Sequence, residues 1–266
     1  MPALLTEVQD NVLIVTINRP EKKNAANAEV LCGFLDAWRR LDADDDLRCC
    51  VLTGAGENFC AGMDLGVIAR MGSGQGPADA FEQRMMDEPE TSLHGWLKTY
   101  RPTKPVIAAV EGYALAGGTE ILQGTDIRVA GRGAKFGVTE VQRGLFPMAG
   151  SSVRLPRQIP YTIAVEMLVV GDPITAEQAR EYGLIGHVVD DGKSLEKALE
   201  LAAKIAANGP VAVKAILKSI RETYGLPEDK AFEIELPIGS SVFASEDAKE
   251  GPRAFLEKRK PNFVGR

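Results

Sequence analysis

Residues 101–120 read Arg101-Pro-Thr-Lys-Pro-Val-Ile-Ala-Ala-Val-Glu-Gly-Tyr-Ala-Leu-Ala-Gly-Gly-Thr-Glu120. Val106 to Val110 is an apolar run that predicts a strand, and Pro102 and Pro105 stand outside it, where they cost no ladder hydrogen bond. Gly112 to Gly118 is a turn of small residues leading into a short helix from Thr119 to about Gln123. Asp126–Ala130 and Ala134–Phe136 predict further short strands. Upstream, the β-branched run Val12–Ile17 lies between Asn11 and Asn18-Arg-Pro20 and reads as a strand. Asn27 is a helix N-cap with Glu29 in the first turn, and Val30, Leu31, Phe34, Leu35, Trp38 and Leu41 recur at helical spacing. Cys49–Leu52 is a second buried strand. The chain therefore opens strand, helix, strand, and the alternation continues, which indicates an α/β architecture.

Residues 66–95 contain a glycine-rich, polar stretch and predict a mobile loop with a loosely held helix, either shaping a pocket or serving as a surface insertion. After about residue 160 the chain is mostly helical. Thr175-Ala-Glu-Gln178 has the capping-box pattern and Gly183 is placed to end that helix. Leu195, Leu199, Ala202 and Ile205 form one apolar stripe and Val213, Ile216, Leu217 and Ile220 another; core packing and packing against other subunits both fit.

The formal net charge is −6 and the basic residues are dispersed, apart from Lys258-Arg-Lys260, which counts against a nucleic-acid partner. No C-x-x-C pair occurs and there are only two histidines, His94 and His187, so neither a metal cluster nor redox-thiol chemistry is expected. His187 lies in Gly-Leu-Ile-Gly-His-Val-Val, a strand entry, and is a poor triad candidate. No stretch approaches the ~20 apolar residues of a membrane span, and the N-terminus has no basic-then-apolar signal pattern; a cytoplasmic protein is expected.

Two glycine turns directly precede helices, Phe59-Cys-Ala-Gly-Met-Asp-Leu65 and Gly112–Glu120. The first N–H groups of a helix lack partners within it and carry partial positive charge, and two such donors aimed at one point make an oxyanion hole. Glu120 follows Gly117-Gly118 on an otherwise apolar segment, and Glu140 follows the strand in Phe136-Gly-Val-Thr-Glu140. Two carboxylates facing one oxyanion hole supply an acid and a base beside a carbonyl; each glutamate taken alone is more often a solvated surface residue.

The chain resembles the enoyl-CoA hydratase/isomerase (crotonase) superfamily over nearly its whole length. The matching pieces, in register, are Asn18-Arg-Pro-Glu-Lys-Lys-Asn-Ala25, Phe59–Leu65, Lys104–Gly112, Ala116–Glu120, Lys135–Glu140 and Lys249–Lys260. The resemblance implies an α/β spiral of strand-strand-helix turns over residues 1–195 and a C-terminal helical oligomerisation region over 196–266, in a homotrimer or a hexamer of two trimers. It implies oxyanion donors at the N–H groups of Met63 and Gly117. Glu120 would deprotonate the attacking water and Glu140 would pass a proton to the α-carbon. It further implies CoA contacts around Ala25, Ala61, Asp64, Leu65 and Gly66, with Phe255 and Lys258 closing over the nucleotide, from the same or a neighbouring subunit. No metal or redox cofactor is implied. Met63 stands where many members have a small residue, and Leu145–Ser152 where many are richer in glycine; both departures bear on the acyl pocket rather than on the reaction. Gly117–Ala130 looks like an actinobacterial subgroup, some members of which act on steroid side-chain CoA thioesters. The implied reaction is hydration of a trans-2-enoyl-CoA. The alternatives are Δ3-Δ2 isomerisation, thioester hydrolysis, or non-catalytic binding of acyl-CoA or RNA.

Overall fold

Asp10 and Asn11 take positive φ, 47° and 67°, as the two central residues of a type I′ hairpin turn must. They join strand β1 (Leu4–Gln9) to β2 (Val12–Ile17), paired antiparallel from Leu4↔Ile17 to Gln9↔Val12. The protein was described from a computed structural model, which gives the backbone of residues 1–266 and every side chain but that of Met71. Strand β1 is absent from the sequence reading, because its mostly exposed residues show no alternation of apolar and polar positions. Helix α1 (Ala28–Ala43) follows, with the Asn27 side chain accepting from Val30 N at 3.1 Å as its cap, and then β3 (Cys49–Gly54).

Where one loosely held helix was expected over residues 66–95, three short ones form: α2 (Leu65–Gly72), α3 (Ala80–Asp87) and α4 (Glu90–Gly95). Side-chain caps mark α2 and α3, while α4 has none. Asp64 accepts from Gly66 N, Asp79 accepts from Phe81 N and Glu82 N, and an Arg70–Glu82 ion pair ties α2 to α3.

Beyond them come β4 (Val106–Val110), β5 (Tyr113–Leu115), α5 (Gly117–Leu122), β6 (Ile127–Gly131) and β7 (Lys135–Gly137). Strand β5 occupies the middle of the stretch read as a plain turn. The chain continues through α6 (Ser151–Gln158), α7 (Tyr161–Val169), β8 (Ile174–Thr175), α8 (Ala176–Glu181) and β9 (His187–Val189). It ends with α9 (Ser194–Ala206), α10 (Pro210–Thr223), α11 (Glu228–Phe243) and α12 (Glu246–Leu256). The Thr175–Gln178 capping box is formed and Gly183 has φ of 84°. Among the described residues no helix is long and apolar enough to cross a membrane.

Among the described residues the main sheet has the order β1-β2-β3-β4-β6-β9, parallel apart from β1, and β5-β7-β8 form a second, smaller sheet. Both faces of the main sheet are covered, which is why its strands read as unbroken apolar runs. Leu13, Val15, Ile17, Cys50 and Leu52 pack toward α1, while Val12, Ile14, Cys49, Val51 and Ile107 pack toward α9. The adjacent cysteines thus face opposite layers and no bridge joins them. Leu195, Leu199, Ala202 and Ile205 line that second layer; residue 195, the division drawn from the sequence, lies in the first turn of α9. Ile216 and Ile220 of the other stripe stay exposed on α10.

Phe34 is fully buried, stacked on Trp38 at 5.6 Å between centroids and tilted against Trp96 at 6.1 Å. Phe34→Ala is expected to cost about 3–5 kcal/mol, read as a lower urea midpoint with an unchanged denaturant slope at fixed protein concentration. An effect under ~1 kcal/mol would mean that the layer collapses around the gap.

Candidate active site

The loops leaving the C-terminal ends of β2, β3 and β4 converge, as expected in a parallel sheet. Asn24 pins the first two. It is wholly buried with φ of 56°; its Oδ1 accepts from Arg19 N at 2.9 Å, and its Nδ2 donates to Ala55 O at 2.9 Å and Asn58 O at 2.6 Å. Ala61 N donates to Lys23 O, Ala26 N to Gly62 O and Asp64 N to Ala26 O. The Arg19 guanidinium bonds Ala25 O and, at 3.0 Å, Asp64. Burial opposes the Asp64 charge, but the Arg19 contact and the Gly66 N–H outweigh it and hold the carboxyl below its usual range. Ala25, Ala61, Met63, Asp64, Leu65 and Gly66 are thereby gathered on one rim, with Leu65 and Gly66 exposed.

The third loop brings up the second amide. In the parallel bridge Ala26↔Met63 the ladder bonds use Gly62 O and Asp64 N, so Met63 N–H points the other way. Gly117 opens α5, so its N–H lacks a helical partner. Among the described residues neither N–H has an acceptor. Their closeness is visible at Gly62, whose φ is 96°: a Cβ there would sit 3.2 Å from Gly117 N and 2.8 Å from Ala116 Cβ. Ala116 itself has φ 51° and ψ −125°, a strained conformation of the kind found at functional sites. A Cβ on Gly117 would meet the Trp96 ring at 2.9 Å, and one on Gly118 would meet Cys60 O at 2.1 Å. Trp96 therefore walls the donor site. Cys60 lies directly behind it, wholly buried, its Sγ 3.4 Å from Gly62 N, and burial pushes its thiol up to about 12.

The carboxylates are unequal. Glu120 is 3% exposed; its Oε2 accepts from Ala149 N at 3.1 Å and its Oε1 from Ser151 N at 3.0 Å, both at the start of α6. Glu140 opens a single 3-10 turn (Glu140–Arg143) after β7, and its Oε2 is buried without a partner. The Thr119 hydroxyl locks the two together: it donates to Ala114 O at 2.5 Å and accepts from Gly137 N at 3.0 Å, so α5 is fastened to both β5 and β7. Burial, then the negative charge of Glu120, lifts Glu140 to about 7, and the protonated form gains a hydrogen bond to Glu120. Such a pair holds one proton acceptor and one proton donor near neutral pH.

Phe255 and Lys258 do not join this rim within one chain. Phe255 is 83% exposed on α12. The tail beyond α12 is fastened at the opposite end of the sheet, where Arg48, just ahead of β3, donates to Phe263 O at 3.3 Å. A cavity of about 1230 Å³ is also elsewhere, a groove between α10 and α11 lined by Lys214, Lys218, Arg221, Ile234 and Pro237. The paired carboxylates and free amides lie apart from this groove. Asn24, Trp96 and the amides of Ala149 and Ser151 were not singled out from the sequence. Asn24 lies inside the quoted 18–25 motif, and Ala149 and Ser151 lie inside the quoted 145–152 stretch.

Residues 7–266 match the family model described as enoyl-CoA hydratase/isomerase. The chain is 57% identical over 265 residues to enoyl-CoA hydratase EchA19 of Mycobacterium tuberculosis, covering 100% of this chain and 97% of that protein. It is 35% identical over 266 residues to 2,3-dehydroadipyl-CoA hydratase of Escherichia coli, covering 100% of both. The crystal structure of enoyl-CoA hydratase EchA1 from Mycobacterium marinum superposes with a TM-score of 0.90 at 45% identity, covering 100% of both chains.

Proposed function

The chain belongs to the enoyl-CoA hydratase/isomerase family, and from that premise we propose that it is an enoyl-CoA hydratase working through the Glu120–Glu140 pair. Its substrate is a 2-enoyl-CoA thioester and its product the 3-hydroxyacyl-CoA. The thioester oxygen lies between the N–H groups of Met63 and Gly117. Glu120 takes a proton from water as the water oxygen bonds to C3, and charge moves onto the thioester oxygen, where the two amides stabilise it. Glu140 then gives its proton to C2. The proton taken up by Glu120 is then passed to Glu140, which resets the pair. Nothing is oxidised or reduced, so the reaction calls for no redox cofactor.

The observation that carries this reading is the unequal carboxylate pair beside two unpartnered amides. CoA binds along the rim formed by Ala25, Ala61, Asp64, Leu65 and Gly66. Phe255 and Lys258 would reach that rim only from a second copy, which fits a homotrimer or hexamer; the exposed Ile216, Ile220, Phe232 and Leu236 of α10 and α11 supply apolar surface for such contacts.

Addition of crotonyl-CoA is expected to cause rapid loss of the conjugated thioester absorbance. Because Glu140 must carry its proton, kcat/KM falls as pH rises through about 7. Absence of turnover with crotonyl-CoA and with longer and bulkier 2-enoyl-CoAs would overturn the hydratase reading. Faster turnover of 3-enoyl substrates would replace it with isomerisation.

A further inference from the structure

We propose that Gln123 is a positioning residue for hydration, acting through the Ser151 hydroxyl on the segment whose amides hold Glu120. The inference rests on the function proposed above and deepens the same site. Gln123 follows the last residue of α5, one turn after Glu120 and so on the same side. Its Nε2 donates to Ser151 Oγ at 2.7 Å, while Ser151 N donates to Glu120 Oε1 at 3.0 Å. One residue at the start of α6 is thus held twice from α5, once by its side chain and once by its main chain, in a closed ring. The Gln123 carbonyl also accepts from Gln158 Nε2 at 2.9 Å, at the far end of α6, so Gln123 sets the lie of that whole helix.

Packing does not account for a glutamine here. Gln123 is 1% exposed, and its Oε1 has no partner among the described residues. A buried amide with an open acceptor carries a cost that an aliphatic side chain would avoid. The groups facing Glu120 are Glu140 on the 3-10 turn and Arg154 on α6. Arg154 is engaged by Leu97 O at 2.6 Å and Lys98 O at 3.0 Å. With Ser151 held, both Glu120 oxygens meet N–H donors and the carboxylate keeps one orientation toward Glu140. Without the side-chain tether the start of α6 is free to shift, and Glu120 shifts with it.

The test compares full-length wild type, Gln123→Met, Ser151→Ala and the double variant with crotonyl-CoA. A displacement on the order of 1 Å can cost ~10²-fold. Loss of one tether, with the amides still present, is expected to lower kcat roughly tenfold, with KM within about twofold. The double variant is expected to match the single ones, because all three lose the same hydrogen bond. The alkaline limb of the kcat/KM profile moves to lower pH, since Glu140 is then less firmly held by the Glu120 charge. Wild-type kcat and pH profile in Ser151→Ala, or losses that multiply in the double variant, overturn the proposal; Ser151→Ala decides alone where Gln123→Met does not fold. If wild type hydrates no enoyl-CoA, the function reading fails by itself. Infrared titration of the Glu140 carboxyl in free wild type and Ser151→Ala then decides this inference, which an unmoved titration overturns.

Discussion

Glu140→Gln is expected to cut kcat for crotonyl-CoA by about 10²- to 10⁴-fold while making the protein more resistant to heat above neutral pH. The two effects share one cause. Glu140 keeps its proton in the folded state to about 7, well above its ordinary carboxyl value, because burial and the Glu120 charge oppose ionisation. Folded protein therefore binds more protons than unfolded chain between those values, and stability falls as pH rises through that window. Glutamine has no charge to desolvate, so the melting temperature of the variant is expected to gain on wild type between pH 5 and pH 8. It has no proton to give C2 either, so hydration stops. A variant that loses activity without that pH-dependent gain would mean that the carboxylate pair is solvated in the working enzyme.

Gly62→Ala is expected to reduce kcat by about 10²- to 10³-fold, with circular dichroism and oligomer size checked to confirm folding. At φ of 96° an L side chain is strained, and the new Cβ meets Ala116 Cβ at 2.8 Å and Gly117 N at 3.2 Å. The added methyl wedges the two amides apart without touching either carboxylate. Since a donor acts only when aimed at the charge that develops, kcat is expected to fall more than KM rises. Wild-type kcat in a folded Gly62→Ala enzyme would remove the Met63 and Gly117 amides from the reaction.

Much of the architecture was legible because apolar runs report burial directly. Val12–Ile17 and Val106–Val110 are bounded as the residues suggest, and Asn27 caps the helix it was expected to cap. Strand β1 escaped because an edge strand exposed along nearly its whole length needs no alternation, and β5 because three residues inside a glycine-bounded turn are too few to show a period. Helices α2 and α3 are set by Asp64, Asp79 and an ion pair, local devices that leave little hydrophobic pattern. In the site, Glu120 and Glu140 stood out because a carboxylate on an apolar segment is conspicuous. The groups holding Glu120 did not: they are main-chain amides, which every sequence carries, and only the fold shows which of them face an acid. The role of Gln123 was hidden for a related reason, since its partner is a serine 28 residues away.

Cys60 takes on a second meaning once the substrate is considered as an electrophile. A 2-enoyl thioester accepts any soft nucleophile at C3, and a thiolate is a far better one than water. Cys60 lies two residues from Gly62, directly behind the turn that carries the Met63 amide. There the backbone of Gly118 presses so closely on Cys60 O that no side chain fits between. Wholly buried and raised to about 12, the sulfur stays a neutral thiol. That burial therefore guards the enzyme against alkylation by its own substrate.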